Sequence, residues 1–179
     1  MTKREAGYGF VLALLFLPVA LVLFSLALDL GRFYAVKVGA RHALNLALRS
    51  ASAQLDMEAL RDPQNSRVRI LPVEAENAFR QVLRENLKLD GNDCPLPGSP
   101  VDGRVRVEYF RAVNDVPFTY QFAYEGGVYR ETITVPSVTA IISFPVKVWW
   151  MRAVRPETQG VVTMYVHSTV APRVVGVAQ

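Results

Sequence analysis

The chain has 179 residues, a net charge of +4, a pI near 9.4 and 51% hydrophobic residues, which allows one ordinary domain plus a membrane anchor. The basic residues are scattered rather than blocked, and basic and aromatic side chains are not interleaved on one face, which excludes a nucleic-acid-binding surface. A lone Cys94, in Asn92-Asp93-Cys94-Pro95, excludes an internal disulfide and gives no CxxC zinc motif.

No charged residue occurs from Ala6 to Leu28, and most positions are Leu, Val, Phe or Ala. At ~1.5 Å per residue this stretch reaches ~34 Å, enough for a bilayer core of ~30 Å. The rival reading is a secretory signal with Lys3 and Arg4 as its basic region and Ser25-Leu26-Ala27 as its cleavage site. The apolar run exceeds the ~7–15 residues of a signal core, which favours a span. Pro18 predicts a kink within it. The charges Lys3 and Arg4 before the run, and Arg32, Lys37 and Arg41 after it, do not assign orientation firmly.

The helical period continues past the apolar run. Phe33, Val36, Ala40, Ala43, Leu44, Ala47, Leu48, Ala51 and Leu55 form an apolar stripe of largely small residues. Arg32, Lys37, Arg41, Asn45, Arg49, Ser52 and Asp56 form the opposite face. Asp29 and Arg32, three apart, are placed to face each other at the water boundary. Asp62-Pro63-Gln64-Asn65-Ser66 predicts the break. A second amphipathic helix is predicted over Val73–Leu89, with Phe79, Val82, Leu83 and Leu87 on one face. Gly91–Gly103 reads as a loop.

From Arg104 the period becomes two. Val105, Val107 and Tyr109 share one face. Phe118, Tyr120, Phe122 and Tyr124 share another, and Glu125-Gly126-Gly127 turns the chain into a hairpin with Val128–Val135. Val138, Ala140, Ile142, Phe144, Val146 and Val148 line a further strand, which Pro145 marks as an edge or bulge at its end. Val161–Val170 is the last strand. The expected fold class is α+β, a long N-terminal transmembrane and amphipathic helix packed on a small antiparallel β-sheet with one apolar face.

The opening segment resembles the TadE/TadG-like proteins of the tight-adherence (Flp) pilus. The resemblance rests on Gly7 after a short basic leader, and on the run Gly9-Phe10-Val11-Leu12-Ala13-Leu14-Leu15-Phe16-Leu17-Pro18. It extends through Ala27-Leu28-Asp29-Leu30-Gly31-Arg32-Phe33-Tyr34, similar to that family's acidic-x-Gly-Arg-aromatic signature, and covers about residues 4–55. It implies a pilin-like fold with a leader at residues 1–7, a transmembrane helix at 8–28, its amphipathic continuation at 29–56 and an extracytoplasmic domain at 57–179. It further implies a processing site at Gly7 and Tyr8, with helix-packing and signature residues Pro18, Asp29, Gly31, Arg32 and Tyr34. A cut after Gly7 places Leu12 at the fifth mature position, where pilin-type precursors carry glutamate. The implied role is therefore a minor, tip or assembly subunit of a pilus or related secretion filament, held in the bacterial inner membrane by a single pass. The implied partners are other pilin-like subunits, the assembly platform, a prepilin-type peptidase and membrane lipid. The alternative is a membrane-anchored extracytoplasmic binding domain with no filament role.

Other constellations are bland. His42 and His167 lie far apart in sequence, Glu74 and Glu76 suit a helix start, and Gly7-x-Gly9 follows no strand. The sequence therefore predicts no enzyme, no metal site and no cofactor. Trp149 and Trp150 read as core or edge packing, or as a membrane-boundary or partner interface patch.

Overall fold

A computed structural model describes residues 3–61, 67–124, 126–149 and 160–173, with the side chains of the first helix described from Ala13 onward. The fold is α+β, with α1 (Lys3–Ser52), α2 (Met57–Arg61), α3 (Pro72–Leu87), β1 (Arg106–Val113), β2 (Phe118–Tyr124), β3 (Gly127–Ile133), β4 (Ser137–Lys147) and β5 (Val161–Val170).

α1 is one continuous helix that changes environment halfway. Leu14, Phe16, Leu21, Phe24 and Leu28 are exposed, while Ala40, Leu44, Ala47, Leu48 and Ala51 are fully buried. The first half is long and apolar enough to cross a membrane, and it is not a core helix of this chain. The helix runs unbroken through Pro18. The second half buries the predicted stripe, its alanines letting the helix approach both α3 and the sheet closely. Ser52 departs from the expected polar face. It is buried, and its hydroxyl donates to the Arg49 carbonyl at 3.0 Å. The helix also ends earlier than the turn-forming 62–66 segment suggested, which lies outside the described residues. Its end comes at Ala53–Asp56, where Asp56 accepts the backbone N–H groups of Glu58 and Ala59 to start α2.

α3 has Pro72 in its first turn and ends on Lys88 in the left-handed conformation, φ 51°. Phe79, Leu83 and Leu87 are buried as expected, joined by Ala75, while Val82 is only partly buried. Asn114 ties the chain ahead of α3 to the end of β1. Its side chain accepts the Ile70 N–H at 2.7 Å and donates to the Ile70 carbonyl at 2.9 Å.

The strands make two sheets rather than one: an antiparallel sheet in the order β1-β4-β5 and the β2-β3 hairpin. The helices cover one face of the three-stranded sheet and the hairpin covers the other, giving three layers. This overturns the expectation of a single apolar face. Val138, Ala140, Ile142, Phe144 and Val146 do face the helices, but Ser137, Thr139, Ile141 and Ser143 on the reverse of β4 are buried as well. A bulge between Val107 and Tyr109 corrects the β1 pattern. Val107, Phe110 and Ala112 pack toward the helices, whereas Tyr109 turns to the hairpin side, because one extra residue reverses the alternation. Pro145 lies inside β4, opposite Thr163 of β5 and past Ser143, where pairing with β1 stops. Its missing N–H therefore faces a stretch that β1 does not pair.

Candidate functional site

The hairpin meets the sheet through rings and hydroxyls. Tyr109 and Tyr120 stack with centroids 4.8 Å apart and a 9° tilt, and Phe118, Tyr129 and Ile141 pack around them. At the centre, the Tyr120 hydroxyl donates to Glu131 Oε2 at 2.9 Å and meets Thr139 Oγ1 at 2.9 Å and His167 Nε2 at 2.8 Å. Thr169 donates to the same Glu131 oxygen at 2.7 Å. Glu131 Oε2 also lies 3.1 Å from His167 Nε2. The Tyr120 proton goes to Glu131, so the network is satisfied when Nε2 of His167 carries the hydrogen.

Burial pushes the Tyr120 hydroxyl well above the ordinary phenol range, and Glu131 adds to the rise. Burial also lowers the His167 pKa, although Glu131 pulls the other way. These are the shifts of a satisfied polar core. A catalytic triad places hydroxyl and carboxylate on opposite nitrogens of the imidazole, whereas here both converge on Nε2. A phenol that holds its proton more tightly is likewise the reverse of an activated nucleophile. Among the described residues no group of three His, Cys, Asp or Glu side chains is placed to hold a metal ion.

Beside this cluster opens a cleft of about 560 Å³. Phe33 and Lys37 of α1 form one wall, Phe122, Tyr124 and Tyr129 of the hairpin form the other, and Thr163, Met164, Tyr165 and His167 of β5 form the floor. The floor is a sheet edge, because β5 pairs only with β4 among the described residues. Two hydrogen bonds fix which backbone groups point into the cleft. The Val148 N–H donates to the Gly160 carbonyl at 2.6 Å, toward β5, and the Lys147 N–H donates to Asp102 on the opposite side. Alternation carries this parity along the strand. Even-numbered residues of β5 therefore bond to β4, while Thr163, Tyr165 and His167 turn their N–H and C=O outward. The site offers a row of backbone donors and acceptors between aromatic walls, with Lys37 supplying positive charge. That combination suits an extended segment with apolar side chains.

The residues singled out from sequence are dispersed. Gly7 and Tyr8 lie inside α1, which begins at Lys3, rather than ahead of the helix. Pro18 and Tyr34 are exposed, and nothing lies within 4 Å of where a Cβ on Gly31 would sit. Arg32 pairs with Asp102 at 2.6 Å, a partner seventy positions away that sequence spacing did not suggest. Asp102 is held in turn by the Lys147 N–H at 2.9 Å, so the ion pair ties α1 to the end of β4. Trp149 is 71% exposed, which decides against core packing; Trp150 lies outside the described residues. His42 is exposed on α1, far from the role His167 takes. The cleft was not foreseen. Its only sequence signals were the alternating aromatics Phe118, Tyr120, Phe122 and Tyr124, which say nothing of the strand they face.

The chain matches no protein-family model, no curated protein and no solved structure.

Proposed function

We propose that this chain is a minor pilin-like or assembly subunit of a tight-adherence pilus or a related secretion filament, anchored by α1. The observation that carries the proposal is the single 50-residue helix, exposed along residues 13–25 and built into the domain core in its second half. Such a rod transmits the position of the domain rigidly to the membrane segment, and its uncovered apolar half is suited to lipid before assembly and to neighbouring helices after it. The resemblance of residues 4–55 to the TadE/TadG-like segment supports the same reading.

A photo-crosslinking residue at Leu21 or Phe24, both exposed, tests it in cells. Adducts with the apolar N-terminal helix of another pilin-like subunit are expected. Adducts with lipid alone would overturn the filament role and leave an anchored binding domain. The cleft beside β5 favours that second reading, since an edge strand between aromatic walls is a docking feature that a purely structural subunit does not need.

A further inference from the structure

We propose that the membrane-proximal end of the sheet, marked by Trp149 and Val161, rests in the interfacial layer of the bilayer that α1 crosses. The inference rests on reading α1 as the span and adds a second membrane contact, made by the folded domain.

The direction of each strand follows from its contacts. Thr163 and Met164 share the cleft with Phe33 and Lys37, whereas Ser168 bonds Asn45 further along the helix. β5 therefore climbs away from the apolar half of α1. β4 is antiparallel to it and descends toward that half. The descent ends at Lys147, whose N–H binds Asp102, the partner of Arg32. Arg32 lies four residues after Leu28, or ~6 Å along the axis. The headgroup layer is roughly 5–8 Å deep on each side of the apolar core, so Arg32 stands within it. Trp149 follows two residues beyond Lys147, just past the end of β4 at this same end of the sheet.

The side chains at this level fit such a layer. Trp149 is 71% exposed, and Val161, across the sheet from Lys147, is 37% exposed. Lys147 is exposed and Arg32 is partly so, supplying cations at headgroup height. An indole beside cations is the composition of a membrane–water boundary.

The sequence contains two tryptophans, so Trp150→Phe leaves Trp149 as the only reporter. Full-length protein is reconstituted in vesicles of phosphatidylcholine and phosphatidylglycerol and recovered by flotation. The expected result is Trp149 emission at shorter wavelength than in detergent-free buffer, with most quenching by lipid brominated near the top of the acyl chain. Co-flotation with water-like, unquenched emission overturns the interfacial contact and leaves the anchor standing. Shifted emission that no brominated lipid quenches places Trp149 against protein and overturns it too. Failure to co-float overturns both the anchor and the inference. A second variant, Cys94→Ser with Val161→Cys carrying an environment-sensitive dye, repeats the measurement with both tryptophans in place.

Discussion

His167 shows how one side chain couples packing to pH. Burial among Tyr120, Tyr129 and Thr169 lowers its pKa below the usual ~6.5. The unfolded chain then binds more protons than the folded one between the lowered value and ~6.5, so stability is fully present above that range and declines as pH falls through it. Chemical denaturation midpoints should therefore drop on acidification below about pH 6.5, and His167→Gln should flatten that dependence. A midpoint unchanged across the window would show that Glu131 offsets the burial. Tyr120→Phe removes the hydroxyl that serves Glu131, Thr139 and His167, and should cost about 1–3 kcal/mol in the same assay. Gly103 illustrates a constraint of space: a Cβ there would stand 2.5 Å from Cγ of Pro145, whose ring has little freedom to yield. Gly103→Ala should lower stability by about 1–3 kcal/mol. None of these three partnerships was legible in the sequence, since each joins residues from different elements.

At the scale of the elements, α1 was the most legible. Its apolar residues recur at helical spacing, and Val36, Ala40, Ala43, Leu44, Ala47, Leu48 and Ala51 are the ones buried. Leu44→Asp should therefore destabilise the domain by roughly 3–5 kcal/mol, as an unpaired charge in a packed core does, whereas Arg41→Asp on the exposed face should change it by under about 0.5 kcal/mol. Thermal or denaturant unfolding in detergent measures both, and equal losses would mean that the helix does not pack on the sheet. The strands were legible in position but not in pairing. The alternation of β2 and the Gly126-Gly127 turn predicted the hairpin correctly, yet period two states only that opposite faces differ. In β4 both faces are buried, and the serines and threonine on one of them read as solvent-facing until the hairpin covers them. The bulge in β1 escaped because Val107, Glu108 and Tyr109 alternate regularly as letters; the extra residue exists only relative to β4.

For the whole molecule, the anchor makes two predictions. Alkaline carbonate washing should leave the chain in the membrane pellet, because Leu14, Phe16, Leu21, Phe24 and Leu28 are exposed apolar side chains. Release of a shortened chain beginning near Leu28 would instead mark the segment as a cleaved signal. If a prepilin-type peptidase removes residues 1–7, the N-terminal peptide begins at Tyr8 and Gly7→Val blocks it. Since α1 starts at Lys3, the first two turns must open before the bond is cut, and glycine lowers the cost of that opening. Recovery of Met1 or Thr2 on the mature chain would end the processing proposal. Copy number equal to that of a major pilin would end the minor-subunit proposal.

Local periodicity by itself determined the long helix, its change from lipid-like to stripe-like composition near Asp29, the second helix, the hairpin and the α+β class, because each depends on residues only a few positions apart. Tertiary structure alone decided the three layers, the bulge, the Arg32–Asp102 tie, the polar cluster at His167 and the cleft along β5. Those features arise where segments distant in sequence meet, and their energies depend on burial and geometry that alternation does not encode.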